Sequence, residues 1–349
     1  MERARRATGP RPCWRYGHGI EQRKTQISVP SAISGLPNSA SADRIPSVER
    51  MNAPPVANDR LTTLQIRVGY ELIYDCLQQT PMVLMLNIHH TRASDIVVSD
   101  RMIAEPFVPM TSYRDGFGNW CTRILAPAGR LRLSASALLN DTGEPDSIAL
   151  SDDQHAVKDL PEESLVFLLG SRYCETDQLT GIAWDLFGQS PTGARRVYAI
   201  CDYVHRHITF SYQDARSTRT AWEALQEGRG VCRDYAHLAI AFCRCMNIPA
   251  RYCTGYLGDI GIPPPYGPMD FAAWFEAYIG GRWHTFDARN NIPRIGRVLI
   301  ARGRDATDVA ISNTFGPNTL AGFTVWTDEV RSAPERVGFG NSAGTTCAS

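Results

Sequence analysis

The chain has 349 residues, of which 43% are hydrophobic and 21% charged, a composition typical of a globular protein long enough for two domains. Its formal net charge is zero, so the charge balance does not indicate nucleic acid or a membrane surface as a partner. No apolar run reaches the ~18 residues that a membrane-spanning helix needs.

The first 50 residues contain nine Lys or Arg against four Asp or Glu and show no periodic apolar pattern. They lack the continuous apolar core of a secretory signal and the clear amphipathic helix of a transit peptide. We predict a disordered extension over residues 1–57, with Met51 as a candidate start of translation. A flexible tail is predicted over residues 336–349.

Residues 58–160 show the pattern of a β domain. Apolar residues alternate with mostly polar ones from Leu64 to Tyr74 and, less strictly, from Met82 to Ile88, which is the period of half-buried strands. Turn signals separate these segments from later strands. We predict a small β-sandwich here that carries no catalytic group.

From residue 161 onwards the apolar spacing changes to that of helices, and residues 161–335 are predicted to form a second domain. Four helices are predicted: the first ends at Gly188, the second covers residues 197–204, the third begins with a capping box of Thr220 and Glu223, and the fourth runs from Cys232 to Met246.

Strands follow these helices. Residues 251–257 are predicted to form one strand, and residues 271–279 and 282–288 a hairpin across the two-residue turn Gly280-Gly281. The second domain is therefore expected to be an α+β domain in which helices precede an antiparallel sheet.

The register of this hairpin decides which side chains can meet. Trp274 faces Asp287, and Ala272 lies on the same face two residues along the strand, within reach of Asp287. His284 points to the opposite face. His237, five residues into the fourth helix from its first residue, lies about 140° around the helix axis and is expected to be packed elsewhere.

The segment Gly228-Arg-Gly-Val-Cys232 places a thiol at the N-terminus of the fourth helix. Unpaired N–H groups and the helix dipole favour the thiolate at such a position, and the glycines allow a sharp turn before it. None of the ten cysteines forms a Cys-x-x-Cys pair. We therefore expect reduced cysteines in a cytoplasmic protein that has no metal and no cofactor.

An ordered series of motifs carries a family resemblance. It comprises Gly-Val-Cys232-Arg-Asp, Asn247-Ile-Pro-Ala-Arg-Tyr252, Gly255-Tyr256, Ala273-Trp-Phe-Glu276 and Trp283-His-Thr-Phe-Asp287. Over roughly residues 60–330 the chain resembles the transglutaminase-like superfamily and, more narrowly, the bacterial transglutaminase-like cysteine proteases. The resemblance implies a papain-like core, in which a helix-borne cysteine packs on an antiparallel sheet, preceded by the β-sandwich.

The resemblance also implies a chemistry and a site. The nucleophile of the family matches Cys232, the orienting acid matches Asp287, and the catalytic histidine matches Ala272. Trp274 and Glu276 are candidates for lining the cleft. The implied reaction is thiol acyl transfer to water or an amine through a Cys thioester, with a peptide or protein substrate.

The alanine at position 272 leaves three alternatives open. The chain is an enzyme with an altered or borrowed base, a pseudoenzyme that binds a peptide or protein without turnover, or an enzyme inactivated by a deliberate change at residue 272. The sequence leaves the substrate, the choice between water and amine, and the oligomeric state undetermined.

Overall fold

The computed structural model describes residues 64–147, 151–264 and 266–330. The disordered extension predicted over residues 1–57 and the flexible tail predicted over residues 336–349 lie outside these residues. In the part that is described, no helix is long and apolar enough to cross a membrane.

Fifteen strands and five α-helices occur in the described residues. The strands are β1 (Leu64–Cys76), β2 (Thr80–Leu84), β3 (Ile96–Val98), β4 (Ile103–Glu105), β5 (Thr111–Arg114), β6 (Trp120–Ala126), β7 (Gly129–Asp141), β8 (Thr209–Phe210), β9 (Arg229–Gly230), β10 (Ala250–Tyr256), β11 (Ala272–Ile279), β12 (Arg282–Phe286), β13 (Val298–Gly303), β14 (Ser312–Thr314) and β15 (Asn318–Val330). The helices are α1 (Glu162–Leu165), α2 (Thr176–Phe187), α3 (Ala194–His207), α4 (Ala221–Glu227) and α5 (Cys232–Cys245).

Two antiparallel sheets form the β-rich half. One has the strand order β15-β1-β7-β3, with β4 also pairing with β7, and the other has the order β14-β2-β6-β5. The alternating apolar residues of β1, from Ile66 to Leu72, are buried, and they share one hydrophobic core with Met82 and Leu84 of β2. The alternation therefore predicts this strand correctly.

Both sheets take a strand from the far end of the described chain. β15 pairs with β1 from Gln65 opposite Val330 to Cys76 opposite Asn318, and β14 pairs with β2. The β domain predicted over residues 58–160 therefore also takes in β14 and β15, because without these strands β1 and β2 would expose unpaired backbone groups. The boundary predicted between residues 160 and 161 stays a prediction.

A third antiparallel sheet lies in the α+β half. It has the order β12-β11-β10-β13, and α5 packs against it. The predicted hairpin is confirmed, because Ile279 pairs with Arg282, and Gly280 and Gly281 both have positive φ, as the primed turn requires. Phe275 and Ala277 of β11 belong to the core that contains α5. This α+β arrangement agrees with the predicted fold class.

The helix boundaries follow local sequence signals. In α4 the predicted capping box is present: the Glu223 N–H donates to Thr220 Oγ1 at 3.3 Å, and the Thr220 N–H donates to Glu223 Oε2 at 3.1 Å. Gly188 follows α2, as predicted. The predicted fourth helix is α5, which begins at Cys232.

Candidate functional site

Cys232 is the first residue of α5, and its position depends on the turn before it. Gly228 ends α4 with a φ of 60°, in the left-handed region that favours glycine. At Gly230 a Cβ atom would lie 2.5 Å from Asp234 Oδ2, so this close approach of turn and helix requires glycine. Asp234 accepts a hydrogen bond of 2.9 Å from the Val231 N–H and so closes the first turn.

A buried ion pair anchors the same turn. Arg219 Nη1 lies 3.0 Å from Asp234 Oδ2, and both side chains are buried. Burial raises the pKa of Asp234, although the Arg233 guanidinium and the Val231 N–H act in the opposite direction. The start of α5 is thus held from within the protein, whereas Cys232 itself is partly exposed.

Cys232 lines a cavity of about 230 Å³ that we call the thiol cavity. Ala272, Asn290 and Arg294 also line it, and the residues placed along it by the described part of the chain include no histidine. The structure therefore brings the predicted nucleophile and residue 272 to one cavity. Phe271, the residue before Ala272, also lines the cavity and is buried.

A Gly- and Pro-rich loop between β10 and β11 forms another wall of the thiol cavity. Tyr212 Oη donates a hydrogen bond of 3.4 Å to the Pro268 carbonyl of this loop. Phe210 and Leu257 add apolar surface. The cavity thus combines a thiol with both apolar and charged side chains.

Asp287 lies directly after β12 and is buried. Its Oδ1 accepts hydrogen bonds from the N–H groups of Arg289 and Asn290, at 3.0 and 2.9 Å, and its Oδ2 from Asn290 Nδ2 and Arg297 Nη2, at 2.7 and 2.8 Å. Burial alone would raise the pKa of Asp287, but Arg297 and Asn290 outweigh it and hold the pKa below its ordinary value. The carboxylate is therefore ionised, and its acceptor sites are occupied.

Two partners of Asp287 were not predicted from the sequence. Asn290 lines the thiol cavity while its amide donates to Asp287, so it connects the two. An Asn three residues after an Asp at the end of a strand is a local turn signal that indicates such a contact. Arg297 also donates from Nε to both oxygens of Asp146, at 3.0 and 2.8 Å, and a pair so far apart in sequence has no local signal.

Trp274 and Glu276 line a different cavity from Cys232. Phe275 is buried in the core, and side chains alternate along a strand, so Trp274 and Glu276 point to the other face of β11. Ala272 shares that face by the same alternation, but as the first residue of β11 it borders the thiol cavity. Glu276 Oε2 lies 2.5 Å from Arg251 Nε. Both predicted cleft residues line a cavity of about 460 Å³ on that face, which we call the outer-face cavity.

His284 and His237, which the sequence analysis placed away from the site, do not line the thiol cavity. His284 pairs with Ala277 in the hairpin, and its Nε2 lies 2.7 Å from Asp152. His237 is fully buried, stacks on Tyr173, and accepts a hydrogen bond of 3.1 Å from the Ala306 N–H. His237 thus packs elsewhere, as expected, and the pairing of His284 with Ala277 agrees with the predicted hairpin register.

Buried histidines make the fold sensitive to acid. Burial, with help from nearby arginines, lowers the pKa of His89 and of His237 from 6.5 to about 3. Between pH 6.5 and about 3 the unfolded chain therefore binds up to two more protons than the folded protein. We expect the free energy of unfolding to be highest above pH ~6.5 and to fall by up to about 2.7 kcal/mol per pH unit below it.

Urea unfolding between pH ~7.5 and ~4.5 measures this slope. In His237→Gln the slope is expected to fall to about half, because one of the two titrating groups is removed. A parent protein equally stable across this range would contradict the prediction.

Comparisons with known proteins agree with this geometry. Residues 181–288 match the family model of the transglutaminase-like superfamily. Over 92 residues, 25% of this chain, an uncharacterized protein of Mycobacterium leprae (strain TN) is 38% identical, and the match spans 32% of that protein's length.

Solved structures are also similar. The crystal structure of a candidate cysteine protease from Cytophaga hutchinsonii is 29% identical, with a TM-score of 0.68, and the match covers 78% of this chain and 92% of that one. The periplasmic domain of TgpA from Pseudomonas aeruginosa is 13% identical, with a TM-score of 0.33, over 66% of this chain and 90% of that one. The match to the family model gives residues 181–288 as a transglutaminase-like domain, as the motifs indicated.

Proposed function

Because the chain carries a transglutaminase-like domain, we propose that Cys232 is a thiol nucleophile that takes an acyl group from a peptide or protein and forms a thioester. We further propose that Ala272 occupies the position of the catalytic histidine, so that the thioester forms slowly and then persists. One observation carries the proposal: residues 232 and 272 line one cavity, with no histidine beside them among the described residues.

The lack of a catalytic histidine slows both the formation and the breakdown of the thioester. The thiolate attacks the carbonyl carbon, and the amine leaves only if it gains a proton. In the second step, water or an amine must lose a proton to attack the thioester. A positioned acid–base is worth about 10²–10⁴-fold in such steps, and the methyl group of Ala272 supplies none. An activated ester avoids the first difficulty, because its leaving group needs no proton.

A second function is the binding of a peptide without turnover, and one observation favours it. All the acceptor sites of Asp287 are occupied by Asn290, Arg297 and the Arg289 N–H, so the acid needs no imidazole to complete its surroundings.

The eight described cysteines are unpaired. This supports the further proposal of a reducing, cytoplasmic compartment.

Reaction with p-nitrophenyl acetate, followed by intact mass and by nitrophenolate release, tests acyl transfer. We expect a burst of about one acetyl group per chain, located on Cys232, followed by slow release. Cys232→Ala should abolish the burst. The matched control Cys245→Ala, at the other end of α5 and buried, should keep it.

The outcome separates the two functions. A Cys232 that stays unmodified, while the protein still binds peptides, would favour the non-catalytic reading. Acetylation spread over other residues would remove the basis for Cys232 as the nucleophile.

A further inference from the structure

The outer-face cavity is unusually rich in arginine. It measures about 460 Å³ and lies on the face of the β12-β11-β10-β13 sheet away from α5. Its described lining includes five arginines, Arg92, Arg251, Arg294, Arg297 and Arg302, and four acids, Asp141, Glu144, Asp146 and Glu276. Three acids outside this lining, Asp95, Asp259 and Asp287, also pair with Arg92, Arg294 and Arg297.

The arginines of this lining differ in how closely carboxylates pair with them. Arg92 pairs with Asp95 and Asp141, and Arg251 pairs with Glu276. The guanidinium of Arg302 makes no hydrogen bond to any described residue, and the acid recorded beside it, Glu276, lies 4.0 Å away. Among the five arginines of this lining, Arg302 is therefore the one whose nearest recorded carboxylate lies beyond hydrogen-bond distance.

Two buried donors in the same lining are also unused. Arg297 Nη1 and Arg294 Nε have no hydrogen-bond partner among the described residues, although each side chain is only 7% exposed. A buried donor without an acceptor costs about 1–3 kcal/mol. Such a cost is expected where a ligand supplies the missing acceptor.

The surroundings of Arg302 favour an anion over a neutral ligand. Burial and the neighbouring Arg251 both lower the pKa of Arg302, so an added negative charge would relieve both effects. A guanidinium presents its N–H groups in a planar fork that matches the oxygens of carboxylate and phosphate. Trp274 and Trp283 provide apolar surface in the same cavity.

We propose that the outer-face cavity is a binding site for the oxyanion group, carboxylate or phosphate, of a small ligand, with Arg302 as its main contact. Arg297 and Arg294, which each carry a buried donor without a described partner, belong to the same lining. Glu276 neutralises Arg251 and competes with the ligand for Arg302, which sets a limit on affinity. Arg294 lines both cavities, whereas Arg302, the main contact, is not among the described residues that line the thiol cavity. The proposal does not depend on the reaction of Cys232.

Calorimetric titration of the full chain with inorganic phosphate and, separately, with acetate at constant ionic strength tests this site. We expect saturable binding of at least one of the two anions. Binding of phosphate alone identifies a phosphate group, and binding of acetate alone a carboxylate. Arg302→Gln should weaken binding by about 10-fold or more, the size expected for the loss of a charged hydrogen bond.

Two further variants protect the test from effects on folding. Arg304→Gln is the matched control, because Arg304 is two residues along the chain, pairs with Asp308 and is absent from the described lining. It should bind as the parent does. Glu276→Gln removes the competing carboxylate and should tighten binding several-fold, an effect that mere loss of structure cannot produce. No saturable binding of either anion, or equal binding by the parent and Arg302→Gln, would overturn the proposal.

Discussion

Replacing Ala272 with histidine is expected to raise the turnover of an activated acyl substrate by ~10²-fold or more. The substitution would add an imidazole to the cavity that Cys232 lines, and a positioned acid–base is commonly worth that factor. Alkylation of Cys232 by iodoacetamide at pH ~6 should also become faster, because a nearby imidazolium favours the thiolate. Both rates are measured against the parent, with Ala272→Gln as a control of similar bulk without a titrating ring.

The contacts of Asp287 set the size of this gain. An imidazole at residue 272 needs a carboxylate acceptor to orient it, and Asn290 Nδ2 already occupies Oδ2 of Asp287 at 2.7 Å. Because Asn290 also lines the thiol cavity, its amide would compete with a new imidazole for the carboxylate of Asp287. We therefore expect Ala272→His combined with Asn290→Ala to turn over faster than Ala272→His alone.

A parent protein that already turns over rapidly, and is unaffected by Ala272→His, would mean that another group is the base. His237 is a poor candidate in the structure, because it is fully buried and its burial lowers its pKa to about 3. The acids of the thiol cavity, Asp259 and Asp270, would then be the groups to replace first.

Local signals in the sequence predict the elements that hold the site. The Thr220–Glu223 capping box and the Gly280-Gly281 turn need only residues that are neighbours in the chain, and both occur as predicted. The hairpin register follows from the turn alone. The position of Cys232 at a helix start likewise follows from the glycines before it and the apolar stripe after it.

Long-range pairing accounts for what the sequence did not predict. β15 pairs with β1 across more than half of the chain, and no local pattern in either strand names the other as its partner. The same holds for Arg297, which joins Asp146 to Asp287. Hairpin register placed Trp274 and Glu276 on one face, but the structure was needed to show that this face lines the outer-face cavity.

Removing the carboxylate of Asp287 is expected to destabilise the protein by about 3–5 kcal/mol, the usual cost of breaking a buried ion pair. Asp287→Ala leaves the Arg297 guanidinium, whose side chain is 7% exposed, with Asp146 as its remaining described carboxylate. Four hydrogen bonds to the carboxylate are lost at the same time. Urea unfolding at pH 7 measures the loss. Asp75→Ala, which breaks an exposed pair with Arg130, is the control and should have little effect.

The pH dependence and the reactivity of this variant distinguish structure from catalysis. Because the folded-state pKa of Asp287 lies below its ordinary value of 3.8, its contribution is fully present above that value and is lost as pH falls through the folded-state pKa. The difference between parent and variant should therefore shrink in acid. If Asp287 has a purely structural role while residue 272 is alanine, Asp287→Ala leaves the alkylation rate of folded Cys232 unchanged.

In an Ala272→His background, Asp287→Ala should remove most of the gain, because the new imidazole loses its orienting acid. A large fall in Cys232 reactivity in the parent background would instead show that Asp287 supports the thiol without any histidine between them.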